Sequence, residues 1–164
     1  MDWNIEQKTK LANRPFSKEI DAILNHEKPR DLQNKPEIRH KIFKIGADLK
    51  HMKVTVTALF KLDELDTLLS KVSQLEGRKL IWALKPVMLA LIQHKFLEEP
   101  CEGVRLLVSS CLNNIMRLTT PIAPYNDDVM RIAFRLIETF QDLYNNVAST
   151  FWEEARDFRS CGHG

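Results

Sequence analysis

The sequence is poor in the residues that build sheets and phosphate loops. It has five glycines in 164 residues and no succession of short alternating segments between turn residues, which argues against an all-β fold. Gly46, Gly77 and Gly103 stand alone, so no glycine-rich loop is present to cradle a phosphate. Cysteine is almost as scarce. Cys101, Cys111 and Cys161 are odd in number and lack ligand-like pairing, which suits a reducing compartment better than a disulfide framework. No apolar run approaches the ~20 residues that a membrane span requires. The opening Met1-Asp2-Trp3-Asn4-Ile5-Glu6 is polar and acidic where a signal peptide would be basic and then apolar, so a soluble intracellular chain is expected. Charge of one sign is lacking too. The net charge is +2, with 12 Lys and Arg against 8 Asp and Glu in residues 1–60 and 12 against 14 in the remainder. Such a mild asymmetry is mostly solvated surface.

What is present is helical periodicity. In Glu102–Thr119, Val104, Leu107, Val108, Cys111, Leu112 and Ile115 recur at three- and four-residue spacing. From Asp127 onward, Val129, Ile132, Ala133, Leu136, Ile137, Phe140, Tyr144 and Val147 do the same. Between them lies an elbow, Thr119-Thr120-Pro121-Ile122-Ala123-Pro124-Tyr125. Its prolines stop the first helix, and Asn126-Asp127-Asp128 supplies an N-cap and negative charge for the second. Upstream, Asn34, Pro36 and Glu37 read as a helix start before the stripe Ile38, Ile42, Ile45, Leu49 and Met52. Val54-Thr55-Val56-Thr57 alternates like a strand, but Leu59, Leu62, Leu65, Leu69 and Val72 continue it as a helix. Arg78–Leu97 forms the next helix, burying Leu80, Leu84, Val87, Met88, Leu91 and Ile92. A bend or break is expected near Pro86, which removes a donor and crowds the carbonyl of Trp82. Phe16, Ile20, Ile23 and Leu24 make a short helix begun near Pro15, followed by a polar linker. Phe151, Trp152 and Phe158 suggest a capping helix before a frayed end. Antiparallel helix pairs of this size build HEAT and armadillo solenoids, and the same periodicity also serves a simple helical bundle.

No constellation carries catalysis. The five histidines are scattered, no pair of them with a neighbouring carboxylate forms a helix-spaced metal motif, and Ser109-Ser110 lacks the strand–turn setting of a nucleophile elbow. The chain is therefore expected not to be an enzyme and to need no cofactor, metal, membrane or small-molecule substrate. Lys35, Arg39, Lys41 and Lys44 surround the stripe of their helix. They are a candidate contact to nucleic-acid phosphates, although any amphipathic helix turns such residues to water. Arg105, Ser109 and Asn113 form a polar ridge of the kind solenoids use for partners. The elbow has two compatible readings: a structural turn stapled by Tyr125, and a rigid platform that an extended peptide binds with little entropy loss.

The residues of the elbow region carry a resemblance. Val104-Arg105-Leu106-Leu107-Val108-Ser109-Ser110-Cys111-Leu112, Ile115-Met116-Arg117-Leu118 and Thr120-Pro121-Ile122-Ala123-Pro124-Tyr125-Asn126-Asp127-Asp128 resemble the N-terminal HEAT region of the Pds family. These are cohesin-associated regulators of sister-chromatid cohesion, and the likeness is strongest to the plant branch. More loosely it extends from about Leu62 to Leu143. It implies a nuclear, non-enzymatic HEAT solenoid that binds cohesin subunits and cohesin release and acetylation factors, reaches chromatin indirectly, and influences DNA repair. In the family the elbow reads Ala-Pro-acidic-Ala-Pro-Tyr and docks short partner peptides. Here Pro121, Ala123, Pro124 and Tyr125 match, whereas Thr120 and Ile122 depart. Family members are several times longer, so a fragment, truncated paralogue or mispredicted product is expected.

The combined expectation is an all-α, short HEAT/armadillo-type array of antiparallel helix pairs. It comprises an ill-defined segment 1–34, a helical domain 35–158 and a tail 159–164. Its partner surface is assigned to Arg117, Thr120, Pro121, Ala123, Pro124, Tyr125, Asp127 and Asp128, with Tyr125 as aromatic anchor. The alternatives are a truncated bundle that does not bind cohesin and a weak DNA-binding helical protein.

Overall fold

The computed structural model describes residues 14–26, 38–72 and 77–147. Among them are seven helices: α1 (Lys18–Leu24), α2 (Ile38–His51), α3 (Val56–Lys71), α4 (Gly77–Leu91), α5 (His94–Leu97), α6 (Glu102–Thr119) and α7 (Asp127–Val147). The fold is all-α. The periodic stripes become its core: Ile42, Ile45 and Leu49 of α2, Leu59, Leu62, Leu65 and Leu69 of α3, and Val104, Val108, Cys111, Leu112 and Ile115 of α6 are all buried. Leu80, Ile81, Ala83, Leu84, Val87, Met88, Ala90 and Leu91 are buried too, so α4 is enclosed on most sides. Val54-Thr55 leads into α3, with Thr55 at its N-cap, as the leucine spacing required.

The helices stack in two layers. α2 packs chiefly on α4, α3 on α6, and α7 continues from α6. Polar contacts give the direction of each stack. Along α3 and α6, Cys111 meets the Leu62 carbonyl, Ser110 and Asn114 meet Asp66, and Arg117 reaches Leu69 and Val72. Both numberings rise together, so these helices run parallel. The same holds for α2 and α4, where Gly46 faces Val87 and the C-terminal turn of α2 meets Gln93 and Lys95. Chain neighbours α2 and α3 run antiparallel, with Lys61 Nζ 3.2 Å from Asp48 Oδ2 across the pair. Parallel stacking of alternate helices with antiparallel neighbours is the arrangement of a HEAT-type solenoid.

One cation in each stack closes the helix before it. Lys95 Nζ donates to the carbonyls of Leu49 (2.7 Å), Lys50 (3.1 Å) and Met52 (2.5 Å) at the end of α2. Arg117 donates to Leu69 (2.8 Å) and Val72 (3.4 Å) at the end of α3. The last carbonyls of a helix have no intrahelical donor and carry partial negative charge, so a cation there fills both needs.

Two expectations are corrected. The single helix expected over Arg78–Leu97 is divided: α4 runs through Pro86 to Leu91 without a break there, and the chain turns at Ile92–Gln93 before α5. Burial on both sides of the proline holds that helix together, and the later turn places Lys95 on the end of α2. The ridge Arg105–Ser109–Asn113 is not an exposed row, because Ser109 is buried and Arg105 half-buried while Asn113 faces solvent. The short helix expected after Pro15 is α1, which packs against α4 with Ile20 fully buried. The helix start at Asn34–Glu37, the side chains of Phe140, Tyr144 and Val147, and the aromatic tail lie outside the described residues.

Candidate docking site at the helix elbow

Helix α6 ends where two threonines turn their hydroxyls back on its last carbonyls. Thr119 Oγ1 donates to Ile115 (3.0 Å) and Thr120 Oγ1 to Met116 (2.7 Å), and the Thr120–Pro121 peptide bond is cis. Helix α7 starts as its sequence implied: Asn126 Oδ1 accepts from the Val129 N–H at 3.0 Å, with Asp127 and Asp128 in the first turn. Between these caps the backbone of Pro124–Asn126 meets a second segment. Asn126 N donates to the Pro15 carbonyl (2.8 Å), Ser17 N to the Pro124 carbonyl (3.4 Å), and Asn126 Nδ2 to the Arg14 carbonyl (2.6 Å). Phe16 and Tyr125 thus form an antiparallel bridge, with their rings stacked at 6.4 Å and 13°.

Tyr125 is not the exposed anchor that the elbow motif implied. Only 1% of it is accessible, and its hydroxyl donates to the Met88 carbonyl of α4 at 2.8 Å. Burial pushes its pKa upward, so it stays a donor. Its size and its one polar tip are better served by the α4 backbone than by solvent. Pro124 is buried beside it.

The rest of the elbow faces outward. Thr120, Pro121, Ala123, Asp127 and Asp128 are exposed, and Ile122 is half-buried. An open groove of about 520 Å³ runs between the elbow and the start of α1, with Tyr125 at its base. Pro121, Ala123, Tyr125 and Asp127 therefore line one groove. Asp128 lies beside it with Arg131 (3.6 Å), and Arg117 is spent on the end of α3. Phe16, Ser17, Lys18 and Glu19 form the opposite wall. Sequence reasoning missed this wall because it placed Phe16 inside a helix. The available signal was Ser17, whose hydroxyl accepts from the Ile20 N–H at 3.2 Å and starts α1 after Phe16.

The basic set divides differently. Lys41 and Lys44 are exposed one turn apart on α2, Arg39 is half-buried, and Lys35 lies outside the described residues. Among the described residues no group of three His, Cys, Asp or Glu is placed to hold a metal ion, and no helix is long and apolar enough to cross a membrane.

A family model described as sister chromatid cohesion protein PDS5 matches residues 57–155. The chain belongs to the PDS5 family. Among its relatives in Arabidopsis thaliana, PDS5 homolog D is 43% identical over 83 residues, covering 50% of this chain and 10% of the relative. PDS5 homolog E is 41% identical over 90 residues, 54% of this chain and 9% of the relative. PDS5 homolog A is 30% identical over 138 residues, 79% of this chain and 8% of the relative. The chain thus spans a tenth or less of the length of these PDS5 relatives. No solved structure matches it significantly. The family match covers α3 to α7 and the elbow, and lies outside the Phe16 wall of the groove.

Proposed function

We propose that this chain is a non-enzymatic binding module of sister-chromatid cohesion that acts in the nucleus. Its partners are cohesin subunits and the release and acetylation factors that work on cohesin, through which it reaches chromatin and bears on DNA repair. The observation that supports this reading is the solvent-open groove at the elbow of a PDS5-family chain, lined by Pro121, Ala123 and Asp127 on a rigid base. A preorganised groove loses little entropy on binding, and Thr120 and Asp128 are exposed next to its lining residues in the chain. Tyr125 and Pro124 act from below by fixing its shape, and Arg117 by fixing the end of α3.

Capture of cohesin subunits from nuclear extract tests the reading with the exposed residues alone. Ala123→Arg and Asp127→Arg should each reduce capture at least tenfold with unchanged helicity and melting. Equal capture by the intact chain and both variants, or capture by none of them, would remove the groove from the function.

A second surface rests on a separate observation, the exposure of Lys41 and Lys44 on one face of α2. If they contact DNA phosphates, binding weakens steeply with salt, and Lys41→Glu with Lys44→Glu flattens that dependence by about two charges' worth of slope. Binding that is absent, or whose salt slope the double substitution leaves unchanged, discards this surface.

A further inference from the structure

The elbow is not bare. Arg14–Ser17 lies beside Pro124–Asn126 through one isolated antiparallel β-bridge, held by two backbone hydrogen bonds, the Asn126 side chain and the Phe16 ring against Tyr125. This is how a peptide adds to an exposed strand edge: main-chain bonds hold the backbone, and a side chain settles against the receptor. We infer that Arg14–Ser17 is a cis-acting strap, an internal ligand that covers the backbone edge and aromatic face of the elbow, and whose release opens them to an extended, aromatic-bearing segment of another chain.

The geometry supports a strap that is seated but releasable. One of its backbone bonds is long at 3.4 Å, and Phe16 is only half-buried although Pro15 and Ser17 are buried. Ile20, fully buried, anchors α1 together with Ile23 and Leu24, so Arg14–Phe16 can lift while Ser17 still caps the docked helix. Its tether keeps it near the elbow at a high effective concentration, and an incoming segment must compete with it. The groove alongside gives such a segment a place to start, since Lys18 and Glu19 form its wall directly after the strap. As regulation of partner docking, this inference rests on the function proposed above. As occupation of the elbow, it can be tested without any cohesin factor.

The probe is the strap itself, a fluorescein-labelled peptide of residues 12–19 titrated against the full chain and followed by anisotropy. The intact chain should bind it at least tenfold more weakly than chains carrying Phe16→Ala or Pro15→Gly, both of which loosen the strap without replacing any residue of the elbow itself. The same peptide with Phe16→Ala should not bind. Melting of each variant establishes that it is folded, and Pro15→Gly serves if Phe16→Ala does not fold. Hydrogen exchange adds a reading within one molecule: the Asn126 amide, donated to the Pro15 carbonyl, should exchange faster in Pro15→Gly while amides within α6 do not change. Equal peptide binding by intact and variant chains, no binding to a folded variant, or unchanged exchange at Asn126 overturns the strap. Loss of cohesin capture with these results intact would count against the docking function and not against the strap.

Discussion

Tyr125 shows how far one side chain's environment can differ from what its neighbours in sequence suggest. Between two prolines and an acidic turn it reads as an aromatic held at an edge, yet its ring is enclosed between Phe16 and α4 and its hydroxyl serves Met88. Tyr125→Phe keeps the ring and leaves the Met88 carbonyl without that donor, a loss of about 1 kcal/mol. In urea unfolding this appears as a lower midpoint with an unchanged slope. Tyr125→Ala would remove a fully buried ring at about 3–5 kcal/mol, which makes it a probe of folding rather than of docking. Cys111 is a simpler case. It lies on the apolar stripe and is buried, and burial with Asp66 and Asp63 nearby pushes its thiol well up, so it is an inert core residue.

At the scale of helices, the contact between α3 and α6 carries a polar device within an apolar seam. Asp66 Oδ1 accepts from Ser110 Oγ (2.7 Å) and Asn114 Nδ2 (3.0 Å). Burial raises the Asp66 pKa against the lowering effect of these two donors, and Asp63 is raised by burial and by Asp66. The sign follows from linkage. A carboxyl with a raised folded pKa binds more protons in the native state, so its contribution to stability falls as pH rises from its ordinary 3.8 through the raised value. Asp66→Asn keeps an acceptor oxygen and removes the charge. The unfolding free energy of the variant should therefore gain on that of the intact protein between pH 4 and pH 7, as read from urea curves at both. A gap that stays constant or moves the other way would show that the two donors outweigh burial.

For the whole molecule, the decisive contact is the approach of α2 to α4. A Cβ on Gly46 would lie 2.5 Å from the Val87 backbone nitrogen and 2.9 Å from the Pro86 carbonyl carbon, too close for either to yield without moving a helix. The proline matters here too, because α4 presents its Pro86–Val87 backbone to Gly46 at this turn. Gly46→Ala would ordinarily favour a helix interior. Here it should destabilise by about 1–3 kcal/mol through overpacking and lower the melting temperature of the whole domain, measurable by calorimetry. Since α4 also touches α1 and α6, the shift should appear in one cooperative transition rather than in a separate melting of α2.

The sequence by itself determined the helices, their buried faces, the caps at the elbow and the all-α class, because each depends on spacing within one segment or on a residue's own backbone preference. Asn126 capping α7 and the leucines of α3 were legible for that reason. Periodicity marks which face must be buried and is silent about what buries it. The tertiary structure decided that alternate helices stack in parallel, that Lys95 and Arg117 close the helices before them, that Ser109 faces inward, and that Phe16 lies on Tyr125. Each of these joins residues distant in the chain, and such pairings are set by shape, by carbonyls in need of donors and by the reach of particular side chains once the layers meet.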